Sequence, residues 1–155
     1  MQLHSLTRGE WLKAAGVGIG TAILLSAVMV PMMRAGLSPM PKPLGLAFAQ
    51  TLLGEGLPMP VGLLFHVAYV AAWSMAFVVL FRDALSFRNA LFLGLALWIA
   101  VLVIFFPIVG WDLLGLSIGP QLIIGSLIPH LLFAVFLWAL CRLAFGAVKA
   151  TSAEE

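Results

Sequence analysis

Four long apolar runs, divided by short segments where prolines, glycines and charges collect, set the pattern of this chain. A bilayer core takes ~20 mainly apolar residues per helix. The runs at about 14–33, 60–81, 89–110 and 121–145 meet that length and predict four membrane-spanning helices. A shorter run, "LGLAFAQTLL", lies inside the 35–59 segment, with prolines on both sides. Proline disfavours helix at the residue before it, so the flanks should be extended and the middle should form a short helix. That helix is too short to span. It belongs in the interface or folded over the outer end of the spans.

Composition points the same way. Hydrophobic types make up 63% of the 155 residues and charged types 9%, with a mean hydropathy of +1.16. A soluble domain carries roughly 25% charged residues, so a water-facing surface cannot be built from this chain and the lipid bilayer is its solvent. The net charge is only +2 and the Lys and Arg are dispersed. The clustered basic face of a nucleic-acid binder is absent. The single cysteine, Cys141, excludes an intramolecular disulfide and a metal site built on paired cysteines. The opening "MQLHSLTRGEWLK" is polar, and the apolar run after it is long enough to stay as a helix rather than be cleaved as a signal. No hydrolase elbow, P-loop, dinucleotide fingerprint or zinc-protease helix is present. No residue is assigned a catalytic role, and the leading reading is non-enzymatic.

Orientation follows from Lys and Arg, which favour the cytoplasmic side. Arg8, Lys13, Arg82, Arg88, Arg142 and Lys149 fall on one side of the predicted spans, and only Arg34 and Lys42 on the other. Both termini are therefore expected in the cytoplasm of a bacterium. The 35–59 and 111–119 segments then face outward from the inner membrane.

The four spans read as two copies of one helical hairpin, about 14–81 and 89–145. Each opens with a helix carrying a proline near its outer end, Pro31 or Pro107. Each closes with a helix carrying one histidine. An offset of 64 residues places His66 on His130, Gly62 on Ser126 and Tyr69 on Phe133. The expected architecture is all-α: an integral membrane four-helix bundle built from two parallel hairpin repeats, related by an axis along the membrane normal.

An ionisable group inside a span is a functional-site hypothesis by default. Gly62, His66, Tyr69 and Trp73 fall on one helical stripe, as do Ser126, His130, Phe133, Leu137 and Cys141. Both stripes should face inward, which would bring the histidines into one site in the outer half. The sharpest functional reading is one haem b held by both imidazoles, which are established axial ligands. Gly62 and Ser126 would let the porphyrin edge approach, and Tyr69 and Phe133 would line the site. The plainer reading has each imidazole hydrogen-bonded across helices: His66 to Ser126 or to a carbonyl freed by Pro129, and His130 to Tyr69. A proton relay would lack any intramembrane Asp or Glu to continue the path.

Five methionines, Met29, Met32, Met33, Met40 and Met59, gather toward the outer side. Thioethers suit Cu(I), so Met32, Met33, Met40 and Met59 form a candidate copper set near His66; the alternative is apolar filling. Arg34 and Asp112 occupy comparable places in the two copies and are expected within reach of one another. Gly16 and Gly20 form a GxxxG pair, with Gly18 and Ala22 on another face. Such faces allow close helix approach, within the chain or to other membrane subunits.

The stretches "PMMRAGLSPMPKPLG", "GLLFHVAYVAAWSMAF" and "GSLIPHLLFAVFLWAL" resemble the YagU-type group of small bacterial inner-membrane proteins. The resemblance covers most of the chain. It implies a fold and a location rather than an activity.

Overall fold

A computed structural model of the chain describes residues 6–146; Lys149, counted above among the basic residues, lies outside them. All regular structure among the described residues is helical, with no strand. Helix α1 is Arg8–Arg34, α2 is Leu44–Leu53, α3 is Met59–Leu80, α4 is Phe87–Ile108 and α5 is Gln121–Phe145. A short 3₁₀ turn, Leu113–Gly115, lies between α4 and α5. The four long helices are each long and apolar enough to cross a membrane.

Local chemistry sets several of the ends. Thr7 caps α1, accepting from the Glu10 amide while the Glu10 carboxylate accepts from the Thr7 amide and hydroxyl. This reciprocal box satisfies donors that the first helical turn leaves unpaired. Ser86 caps α4 by accepting from the Asn89 amide. The short helix predicted for "LGLAFAQTLL" is α2, entered from Pro43 and ended at Gly54.

Helix α4 is not uniform. Residues Val101–Phe105 form a π segment, in which the Phe106 amide reaches back five residues to the Val101 carbonyl. Pro107 follows at once. Proline has no amide donor and its ring collides with the carbonyl four residues back. A π turn takes up one extra residue and re-aims the side chains around it. Pro31, by contrast, sits in the last turn of an uninterrupted α1.

Helix α1 packs along α3 and α5, α4 packs along α5, and α2 packs along α3. Glycine sets two of these approaches. A Cβ on Gly18 would lie 2.7 Å from the Ala71 backbone, and one on Gly94 would lie 2.7 Å from the His130 carbonyl oxygen. The larger buried cluster draws on α1, α3, α4 and α5, with Phe77, Leu137 and Cys141 fully buried. A smaller one joins Ala47 of α2 to Val101, Leu102, Phe106, Trp111 and Leu122.

The helix ends carrying most of the basic residues come together. Arg82 pairs with Glu10 at 2.7 Å and lies over the Phe145 ring, as does Lys13. Arg142 lies over Trp138, which packs on Phe87 at the start of α4. We refer to this as the basic end. No ion pair joins Arg34 to Asp112 among the described residues.

The outward faces are strongly apolar. Leu12, Ile23, Leu64, Phe92, Ile124 and Leu143 are all exposed. Helices apolar all round belong in a core or in lipid, and contiguous exposed apolar surface of this extent is foreign to a water-soluble monomer.

Candidate functional site

Besides Thr21 of α1, whose hydroxyl donates to the Val17 carbonyl at 2.8 Å, polar side chains inside the long helices gather in three places. The first is on α5. Ser126 is 1% exposed. Its hydroxyl donates to the Ile123 carbonyl at 3.1 Å and faces the Trp98 indole nitrogen at 3.2 Å; that N–H also reaches the Ile123 carbonyl at 3.1 Å. One turn on, His130 Nδ1 lies 2.7 Å from the Ser126 carbonyl oxygen. A carbonyl only accepts, so Nδ1 carries the proton in this bond. When the ring is neutral, Nε2 then carries the lone pair.

The second place is on α3. His66 is half-buried, and its ring approaches the Ala22 backbone carbonyl on α1. Its own backbone sits against α2: a Cβ on Gly45 would lie 3.2 Å from the His66 amide nitrogen. Gly62, one turn before His66, meets the same helix. A Cβ there would lie 2.6 Å from the Leu46 Cβ and 2.7 Å from its Cα. The gap beside Gly62 is therefore filled by α2.

The third place is an aromatic cluster one turn further along α3. Tyr69 packs edge-on against Phe105 at 5.5 Å and against Trp73 at 6.3 Å. Phe105 also touches Phe48, which meets Phe65. The π segment holds Phe105, so the irregular turn of α4 supplies a wall of this cluster. The Tyr69 hydroxyl is buried and faces Trp73 without a hydrogen bond of good geometry. Ser74, fully buried, likewise has no partner for its hydroxyl.

The two histidine stripes fare differently. On α5, Ser126, Phe133, Leu137 and Cys141 are all buried and His130 is half-buried, so the stripe faces inward as the spacing predicts. On α3 the buried positions are Gly62, Val70, Ser74, Phe77 and Val78. Beyond His66 the inward face thus turns by one residue, and Trp73 is left 38% exposed. The close Gly18–Ala71 approach to α1 fixes that rotation.

The expected hydrogen bonds are corrected in detail. The Ser126 hydroxyl serves Trp98 rather than His66, and His130 turns to its own helix rather than to Tyr69. The His130 ring is thus served by a backbone carbonyl of its own helix. Trp98 is the interior polar residue that the spacing did not reveal. Its partners sit on another helix, and only the α4–α5 register brings them together.

The segment between α1 and α2 covers the start of α5. The Pro39 ring occupies the space that a side chain at Gly125 would need. Lys42 reaches back to donate to Gln50 of α2. Of the methionines, Met40 packs into the smaller apolar cluster, Met32 and Met33 lie half-buried in the last turn of α1, and Met59 is exposed at the start of α3. Among the described residues, no three or more His, Cys, Asp or Glu side chains come together as a metal site.

Comparison with family models, with curated proteins and with solved structures finds no match to this chain.

Proposed function

We propose that this chain is a non-enzymatic integral protein of the bacterial inner membrane, a subunit or accessory protein with both termini in the cytoplasm. Its two hairpins are copies of one unit arranged as a bundle, and its kinship is with the YagU-type group. Its working part is an interior pocket around His66 and His130 in the half away from the basic end. His66 stands about 10 Å along α3 and His130 about 14 Å along α5, each counted from its outer start.

The observation that carries this reading is the His130 hydrogen bond to Ser126. It spends one ring nitrogen on the backbone and leaves the other as an acceptor in an apolar surround. A lone pair held there is an attachment point for a donor group on a ligand or on a partner helix. Polar contacts of this kind join helices in lipid at roughly 0.6 to 2 kcal/mol each.

The same nitrogen supports the second reading, a bis-histidine haem b electron-transfer subunit. Metal-bound histidines commonly donate their other ring N–H to a carbonyl. Against a porphyrin edge at Gly62 stands Leu46, which already fills that position. The absorption spectrum of the protein purified from haem-replete cells separates the two readings. The leading reading expects no Soret band. A Soret band that is lost in both His66→Ala and His130→Ala would replace it with the haem reading.

A further inference from the structure

At the basic end, α1 and α5 border an open groove of about 380 Å³, lined by Lys13, Gly16, Val17, Leu140, Leu143 and Ala144. Its walls are apolar except for one ammonium group. The Lys13 ammonium also lies over the Phe145 ring, 5.8 Å from the centroid. Gly16 makes the room: a Cβ there would meet nothing within 4 Å, whereas Gly20, one turn on, is already closed by Leu140. The GxxxG pair is therefore split, with one glycine packing the chain against itself and the other open.

We propose that this groove holds one anionic phospholipid, with an acyl chain along Gly16 and Val17 and its phosphate on Lys13. Charge complementarity selects this occupant. A second apolar helix would fill the groove but would make no use of the Lys13 ammonium, which forms no ion pair among the described residues. Glu10, the acid one turn before Lys13, is already engaged by Thr7 and Arg82. A phosphodiester at the membrane surface supplies the missing charge at the depth where the acyl chain begins. The neighbouring Arg82 and Arg142 add to the positive field at this end, and basic residues near an anionic leaflet each strengthen lipid attraction.

The test is native mass spectrometry of the full chain in a non-ionic detergent, with added phosphatidylglycerol or phosphatidylcholine. The wild-type chain should retain one phosphatidylglycerol in preference to phosphatidylcholine. Lys13→Gln should weaken that retention about fivefold, the loss of one basic contact. Gly16→Leu, which fills open space rather than a packed one, should reduce it more than tenfold. Arg34→Gln, at the opposite end of α1, should leave it unchanged. All variants should be recovered from the membrane fraction, so lost lipid retention is distinguishable from lost membrane location. Equal retention of both lipids would overturn the proposal, as would Gly16→Leu binding like the wild type. So would a dimer that Gly16→Leu dissolves while no phosphatidylglycerol is retained.

Discussion

His130 Nδ1 sits 2.7 Å from the Ser126 carbonyl oxygen, one turn earlier on α5. The same serine uses its hydroxyl toward Trp98 of α4. Ser126 thus serves two side chains through two different groups, one from the backbone and one from the side chain.

That division gives a first prediction. Ser126→Ala should disturb Trp98 and leave the His130 bond intact, because the carbonyl survives the substitution. Trp98→Phe should cost more than the hydrogen bond alone, since it also changes packing. A double-mutant cycle of Ser126→Ala and Trp98→Phe, read by thermal unfolding in detergent, should give a coupling near 0.6 kcal/mol and not above about 1.7. Zero coupling would mean that the indole and the hydroxyl do not interact.

The Gly62–Leu46 contact gives a second. Gly62→Ala places a methyl group against the Leu46 backbone, and overpacking of this kind costs about 1–3 kcal/mol. Gly16→Ala adds the same methyl into open space and should be neutral or slightly stabilising, since alanine favours helix over glycine by about 1 kcal/mol. Thermal unfolding of the two variants side by side checks the contrast. Equal effects would show that α2 does not close on α3 as described.

These contacts mark how far the sequence could be read. The four long helices and the short helix α2 follow from apolar run length and proline placement; α3, α4 and α5 lie within two residues of the predicted bounds, whereas α1 begins at Arg8, six residues before the predicted 14. The inward stripe on α5 follows from spacing alone, because Ser126, Phe133, Leu137 and Cys141 repeat at helical intervals over the whole buried face. On α3 the same logic holds only to His66. Beyond it, small residues on both α1 and α3 let the backbones meet, Val70 and Ser74 join Tyr69 in the interior, and Trp73 is left 38% exposed. Residue spacing carried no sign of the π turn before Pro107, within which Phe105 packs against Tyr69 and Phe48. Trp98 escaped notice because an indole in an apolar run looks like any other large side chain until its partner is known.

A third prediction concerns orientation. Five basic residues within 6–146, Arg8, Lys13, Arg82, Arg88 and Arg142, belong to the basic end, with Arg34 and Lys42 away from it. The bias of Lys and Arg toward the cytoplasmic side then places that end inside. A reporter fused after Glu155 should be active only in the cytoplasm, and one inserted after Gly56 only in the periplasm. The reverse pattern would invert the protein, and with it the leaflet that supplies the lipid to Lys13.

The pocket itself is tested most directly by ¹⁵N NMR of the histidine rings in the full chain, reconstituted in lipid, with His4→Gln and His66→Gln used together to assign His130. The expected result is His130 in its neutral form with the proton on Nδ1 and a bare Nε2. The Nε2 signal should respond when a ligand or partner donates to it. A His130 ring that carries its proton on Nε2, with Nδ1 bare, would be incompatible with donation to Ser126 and would contradict the proposed pocket.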